Sequence, residues 1–144
     1  MSFAYFDTSA LIKRYVRERN STRVVSLLRR YDVLSSAITP VEVLSALCRR
    51  RRDRELSEEG FATTVSRVQN ERARWELVEV SGPVLNRAEE IVQGALPTRA
   101  LDAVHVASLT TFHAASGIRI PFVTADGRQR DVAAVLGLEV IWVG

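Results

Sequence analysis

The segment Phe3-Ala4-Tyr5-Phe6-Asp7-Thr8-Ser9-Ala10-Leu11 opens the chain with an apolar run that ends at an acidic residue. Residues 3–6 predict a short buried strand, and residues 8 to about 18 predict a helix that begins just after Asp7. In an open α/β sheet, strands give way to helices at their carboxyl ends, and ligands bind in the crevice there. Asp7 therefore indicates both a fold class and a functional edge of the sheet.

The rest of the chain repeats this alternation of short apolar runs and amphipathic segments. Four further strands are predicted at 33–35, 77–80, 120–124 and 139–143. Helices are predicted at about 21–30, 40–52, 57–68, 83–94, 98–115 and 127–136. This order predicts a three-layer α/β/α sandwich with a mostly parallel five-stranded sheet, and one domain over residues 1–144.

Composition excludes several classes of protein. With 47% hydrophobic and 26% charged residues, the 144-residue chain is expected to be globular rather than disordered. No run of about 18 uncharged apolar residues exists, so no membrane span is expected. Cys48 is the only cysteine, which rules out a disulfide framework within the chain and fits a cytoplasmic location.

The basic residues are nearly all arginine, since Lys13 is the single lysine among 20 Lys and Arg residues. Arginine pairs bidentately with phosphate oxygens, so this bias fits a nucleic-acid partner. A general preference for arginine codons explains it equally well. The net charge of +3 permits such a partner without proving one.

Four acidic residues lie where an apolar stretch gives way to a helix start: Asp7, Glu42, Asp102 and Asp126. Parallel topology would bring them to one crevice. Carboxylates held together are costly unless something neutralises them, and a hard divalent cation that prefers oxygen ligands is the usual solution. The pattern predicts a metal-dependent enzyme that acts on phosphates.

Each acid also has a structural explanation. Asp7 and Asp126 suit helix N-caps, and Thr39-Pro40-Val41-Glu42 has capping-box spacing. Asp102 lies in a first turn but among small apolar residues, which favours a function. Asp131 is an alternative to Asp126. Because a residue at a helix start can both cap and bind, the convergence of four acids is what distinguishes the two interpretations.

Several neighbours of the acids are candidate supporting residues. Thr8, Ser9 and Thr124 could orient carboxylates, or they could satisfy local backbone groups. Arg99 precedes Asp102 and is the arginine expected nearest the substrate. His105 lies one turn after Asp102, and its surroundings favour a histidine packed in the core over a metal ligand.

Two further features of the sequence each have two interpretations. The basic run of Arg49, Arg50, Arg51, Arg52 and Arg54 fits either a solvated helix end or a patch that tracks phosphates. Leucines on the early helices fit either a dimer face or the core; they are Leu27, Leu28 and Leu47.

Four segments together resemble the PIN-domain nuclease family, and more narrowly the VapC ribonuclease toxins of prokaryotic toxin–antitoxin pairs. They are Phe6-Asp7-Thr8-Ser9-Ala10-Leu11, Thr39-Pro40-Val41-Glu42-Val43, Leu101-Asp102-Ala103-Val104-His105-Val106-Ala107 and Thr124-Ala125-Asp126. The similarity extends to the closing segment, Ala133-Ala134-Val135-Leu136-Gly137-Leu138-Glu139-Val140-Ile141.

The resemblance implies that Asp7, Glu42, Asp102 and Asp126 form an acidic quartet. It also implies dependence on Mg²⁺ or Mn²⁺ and endonucleolytic cleavage of RNA. A homodimer is implied, as is neutralisation by a VapB-type antitoxin whose tail covers the active site.

Other classes of function compete with this interpretation. A phosphotransfer receiver would need a second acid beside the first, whereas Asp7 is followed by Thr8 and Ser9. A housekeeping RNA-processing nuclease shares the expected chemistry. A non-catalytic protein-binding module would use the acids as caps and would not bind a divalent metal.

Overall fold

Strand β1 (Ser2–Phe6) lies at the centre of a five-stranded sheet in the computed structural model, which describes residues 1–144. The strand order is β3-β2-β1-β4-β5, and every neighbouring pair is parallel. The other strands are β2 (Tyr31–Ser36), β3 (Glu76–Val78), β4 (Phe122–Thr124) and β5 (Val140–Trp142). The predicted sheet is confirmed, and it is wholly rather than mostly parallel.

Seven α-helices connect the strands and cover both faces of the sheet. They are α1 (Thr8–Leu11), α2 (Ser21–Arg30), α3 (Thr39–Arg52), α4 (Glu58–Glu71), α5 (Gly82–Val92), α6 (Ala100–Ser116) and α7 (Gly127–Val135). Two 3₁₀ turns follow α1 and α4, at Ile12–Arg14 and Arg72–Arg74. The predicted three-layer α/β/α class is confirmed. No helix is long and apolar enough to span a bilayer.

Alternate residues of β1 supply the two cores, because successive side chains of a strand point to opposite faces. Tyr5 packs with Phe122 in a core that includes α5, α6 and α7. Phe6 belongs to the other core, which α1 and α2 cover. Leu27 and Leu47 are buried in the second core and in a smaller α3–α4 cluster, so they are core residues rather than a dimer face.

The predicted helix over residues 8–18 is wrong in its length. Helix α1 ends at Leu11, and a 3₁₀ turn leads into a loop that reverses at Asn20, which has a left-handed φ of 64°. Buried Lys13 stabilises this reversal, because its Nζ donates to the carbonyl of Arg19 at 2.7 Å and pairs with Glu18 at 3.3 Å. These contacts form between loop residues, and helical periodicity does not reveal them.

Candidate functional site

A cavity of about 510 Å³ lies at the carboxyl end of the sheet, beside the starts of the helices. Three predicted acids line it: Glu42, Asp102 and Asp126. The predicted neighbours Thr8, Ser9 and Arg99 also line it. The sheet topology thus brings together segments that are far apart in sequence.

The fourth predicted acid, Asp7, does not line the cavity: it is fully buried, beneath Ser9 of the lining. Its Oδ1 accepts hydrogen bonds from the Ser9 hydroxyl at 2.7 Å and from the Ala10 amide at 3.0 Å, so it caps α1. Its Oδ2 accepts from the Thr124 hydroxyl at 2.6 Å. Asp7 is the only buried carboxylate in the chain, and it has no ion pair.

Burial raises the pKa of Asp7 above its ordinary value, because desolvation disfavours the charged form. Nearby His105 and the hydrogen bonds that Asp7 accepts act in the opposite direction without cancelling this effect. A buried acid of this kind is a candidate functional residue, since a folded chain ordinarily pairs or excludes such a charge.

The hydroxyls of Ser9 and Thr124 join the ends of β1 and β4. Besides donating to Asp7, the Thr124 oxygen accepts from the Asp126 amide at 3.0 Å, and the Ser9 oxygen accepts from the Ala125 amide at 2.9 Å. These side chains therefore do both things that the sequence left open: they orient a carboxylate and satisfy local backbone groups.

Glu42 does not form the predicted capping box. Ile38 is the N-cap of α3 and makes no side-chain cap, while the hydroxyls of Thr39 and Ser35 lie 2.7 Å apart. The Glu42 carboxylate instead points to Thr8, whose hydroxyl donates to Oε1 at 2.7 Å, and to His105 Nε2 at 2.6 Å. Glu42 thus pairs with Thr8 and His105, which are distant in sequence, instead of capping its own helix.

The pKa of Glu42 is lowered. Burial alone would raise the pKa, but the hydrogen bond and charge of His105, with the Thr8 hydrogen bond, outweigh it. Glu42 is therefore ionised at neutral pH, and its Oε2 accepts no hydrogen bond within the chain.

Asp102 and Asp126 are connected by two side chains. Gln129 Nε2 donates to Asp102 Oδ1 at 3.1 Å, and Arg99 Nε donates to Asp102 Oδ2 at 3.3 Å. Arg99 also reaches Asp126 Oδ2 at 4.0 Å. Asp126 Oδ1 caps α7 by accepting the amides of Arg128 and Gln129, so this acid caps a helix and lines the cavity.

The alternative acid Asp131 lies outside this arrangement. It is exposed, pairs with Arg130 at 3.1 Å and lines a neighbouring groove rather than the cavity.

Sequence reasoning missed Gln129 as a partner of Asp102 and His105 as a partner of Glu42. Gln129 follows Asp126 by three residues on the same helix, which is a weak signal by itself. It is buried, and its Oε1 has no hydrogen-bond partner.

The donor set suits a hard cation that prefers oxygen ligands more than a soft one that prefers sulfur. The cavity presents carboxylate and hydroxyl oxygens, the His105 ring with both nitrogens paired, and no thiolate. The carboxylate oxygens without a hydrogen bond belong to Glu42 and Asp126. No three acidic, histidine or cysteine side chains converge on one point. This arrangement fits Mg²⁺ or Mn²⁺ held by one or two carboxylates and several waters, because Mg²⁺ retains much of its hydration shell.

The fold and the position of the acids agree with a family assignment. Residues 4–135 match the model of the PIN domain. The chain therefore belongs to the PIN-domain family.

Individual relatives and structures agree with this family. The chain is 33% identical to ribonuclease VapC46 of Mycobacterium tuberculosis over 98% of each protein. Its fold is similar to that of FitAcB from Neisseria gonorrhoeae, with a TM-score of 0.74 and 18% identity over 96% of each chain. It is also similar to a chain of a toxin–antitoxin complex from Klebsiella pneumoniae, with a TM-score of 0.66 and 16% identity over 98% of each chain.

Proposed function

We propose that this protein is an endoribonuclease that hydrolyses RNA phosphodiesters with Mg²⁺ or Mn²⁺. The observation that carries the proposal is Asp7, a fully buried carboxylate without an ion pair beneath a cavity lined by three more acids. A divalent cation beside these acids would offset the cost of burying that charge. The ribonuclease relative supports RNA as the substrate.

In this proposal Asp102 and Asp126 would hold the cation at the cavity, with Glu42 beside them and Asp7 behind. When bound, it lowers the pKa of a coordinated water and stabilises charge on the phosphate oxygens. Ser9 and Thr124 keep the Asp7 carboxylate oriented, and Gln129 does the same for Asp102. The hydrogen-bonded acids are thus preorganised before the cation arrives.

Glu42 is our candidate general base. It is ionised at neutral pH, and its Oε2 is free to accept the proton of the attacking water. The water oxygen then bonds to phosphorus, while the bond between phosphorus and the leaving nucleoside oxygen breaks. That leaving oxygen takes a proton from solvent.

Two exposed arginines on either side of the acids are candidates for binding the RNA backbone. Arg49 lines the cavity and an adjoining groove of about 270 Å³, and Arg128 lines another groove of about 460 Å³. Neither forms an ion pair, whereas Arg50 and Arg51 of the basic run pair with Glu18, Glu55 and Glu58. Phosphates on both sides of the scissile bond would therefore meet free cations.

Arg99 connects the second groove with the cavity and pairs with Asp102 and Asp126. Because it is 68% exposed, the cost of moving it toward a phosphate is small. We propose that Arg99 exchanges these carboxylates for the substrate phosphate when RNA binds.

We further propose that the protein is the toxin of a VapBC-type pair, that it forms a homodimer, and that a VapB-type antitoxin covers the cavity. The VapC relative and the fold shared with a toxin–antitoxin component support this proposal. Leu101, exposed at the cavity rim, and exposed Val135 are candidate contacts for these partners.

Titration of the metal-free protein with Mn²⁺ in a calorimeter, beside Asp102→Asn, tests the cation site without requiring a known RNA. We expect binding by the wild type that is strongly weakened in the variant. No binding by the wild type would favour the protein-binding module. Growth arrest on expression, relieved by co-expressing the product of an adjacent small reading frame, would separate the toxin from a housekeeping nuclease.

A further inference from the structure

His105 is a buried histidine that the proposed chemistry leaves unused, although it contacts the site. Only 1% of its surface is exposed, and both of its ring nitrogens have partners. Nε2 lies 2.6 Å from Glu42 Oε1 and Nδ1 lies 2.8 Å from the Tyr5 hydroxyl. Buried polar groups ordinarily have such partners, and here one partner is an acid that lines the cavity.

The chemistry of the partners assigns the protons of this chain of hydrogen bonds. An ionised carboxylate only accepts, so Nε2 of His105 carries the proton that Glu42 receives. The ring thus carries a proton on Nε2 whether or not Nδ1 is also protonated, because the Tyr5 hydroxyl can either donate to Nδ1 or accept from it. Since both nitrogens are occupied, neither lone pair is available to a metal ion, which excludes His105 as a ligand in this arrangement.

We infer that His105 is a positioning residue, which acts on the reaction through Glu42. Its Nε2–H, with the Thr8 hydroxyl, fixes Oε1 of Glu42 and leaves Oε2 as the oxygen without a partner. Tyr5, fully buried in β1, holds the other side of the ring through its hydroxyl, which lies 2.8 Å from Nδ1. The inference rests on the proposed function, in which Oε2 of Glu42 serves the cleavage reaction.

The position of His105 on α6 explains why the chain uses this residue. Asp102 and His105 are three residues apart on one helix, so they occupy neighbouring positions on its surface. Helix α6 thus supplies one acid directly and holds another, which comes from α3, 63 residues earlier in the chain. A single rigid element sets the relative positions of two members of the quartet.

Two substitutions separate positioning from packing. His105→Leu fills much of the same space but cannot donate, whereas His105→Gln places an amide donor near the position of Nε2. We expect His105→Leu to lower kcat for RNA cleavage by about 10- to 100-fold with KM little changed, as for other groups that orient active-site ligands. We expect His105→Gln to recover most of the lost rate.

His113→Leu is the matched control. His113 is the only other histidine and lies on the same helix, where Nε2 contacts the backbone of Ile120 instead of an acid. This substitution should lower stability without changing kcat. Equal rates for wild type and His105→Leu, or a loss in His105→Gln as deep as in His105→Leu, would overturn the inference.

Nitrogen NMR of the metal-free protein provides a readout that needs no cleavage. The wild type should show a proton on Nε2 of His105 that exchanges slowly with water. Glu42→Ala should speed that exchange, because Nε2 then loses its acceptor. An Nδ1–H tautomer in the wild type would overturn the inference even if RNA is cleaved. Absence of cleavage with the expected proton on Nε2 would instead count against the proposed function alone.

Discussion

The hydroxyl of Thr124 donates a 2.6 Å hydrogen bond to the buried carboxylate of Asp7, 117 residues earlier in the chain. The same oxygen accepts from the backbone amide of Asp126, so one side chain contacts two of the four acidic residues. This contact joins the carboxyl ends of the neighbouring strands β1 and β4, which is the edge where ligands bind in open α/β sheets.

Removing this hydroxyl should impair both stability and cleavage. Thr124→Val keeps the shape of the side chain but deprives buried Asp7 of one of three donors, which should cost about 1–3 kcal/mol of unfolding free energy. Cleavage should fall by about tenfold or more, because the acid loses its orientation. Urea unfolding and a cleavage time course measure the two effects. Thr110→Val is the control, since that hydroxyl donates only within α6, to the carbonyl of Ala107.

The metal-free protein should become more stable when Asp7 loses its charge. Burial raises the pKa of Asp7 in the folded state, so its contribution is fully present below the unfolded pKa and is lost as pH rises through the folded pKa. In Asp7→Asn this pH-dependent loss of stability is absent, so Tm in chelator should be higher than that of the wild type. The difference in Tm should grow as the pH rises from the unfolded pKa of Asp7 to its folded pKa. A Tm difference independent of pH would contradict the account.

The contribution of Glu42 to stability should depend on pH in the opposite direction. Its pKa is lowered in the folded state, so its stabilising contribution is present above the unfolded pKa and disappears as pH falls through the folded pKa. Glu42→Gln should therefore lower Tm at neutral pH, with a difference that narrows in acid. The same thermal scans in chelator test both residues, and a Glu42→Gln protein more stable than wild type at neutral pH would refute the His105 hydrogen bond.

The two arginines beside the cavity that form no ion pair should each contribute to RNA binding through their positive charge. Arg49→Gln and Arg128→Gln should each weaken binding of single-stranded RNA and reduce the slope of log K against log salt by about one. Fluorescence anisotropy in chelator, where cleavage is prevented, measures both quantities. Arg72→Gln, at an exposed arginine remote from the cavity lining, should leave affinity and slope unchanged. Equal losses in all three variants would indicate non-specific attraction.

Asp126 and Asp131 make a direct comparison possible within α7 and its cap. Asp126→Asn should abolish most cleavage, because Asp126 lines the cavity, whereas Asp131→Asn should cleave almost as wild type does. Both proteins should remain folded, as circular dichroism would verify. The reverse order of activities would identify Asp131 as the fourth acid.

Much of the architecture could be predicted because each strand ends at a local signal. The apolar run before Asp7 and the turn before Asp126 placed two acids at strand ends, and parallel topology then required that they share one edge. Thr8, Ser9 and Thr124 were found because they are sequence neighbours of those acids. The local sequence pattern therefore predicts both the fold class and the set of residues that the structure brings together.

Side-chain contacts that helical and strand periodicity does not encode account for what could not be predicted. Glu42 and Thr39 fit a capping box by spacing, but in the folded chain His105 and Ser35 compete successfully for their side chains. The early end of α1 depends on buried Lys13 and its loop partners. Such outcomes are decided by which groups meet in the folded chain, and periodicity carries no information about them.

Cleavage of total RNA by the purified protein tests whether the acidic site is that of a metal-dependent ribonuclease. Wild type with Mn²⁺ or Mg²⁺, wild type with chelator, and Asp7→Asn with metal would be compared by sequencing the fragment ends. The account predicts discrete fragments from the wild type with metal, and none from the other two reactions. Fragments that persist in chelator or in Asp7→Asn would contradict the claim that this acidic site performs metal-dependent hydrolysis.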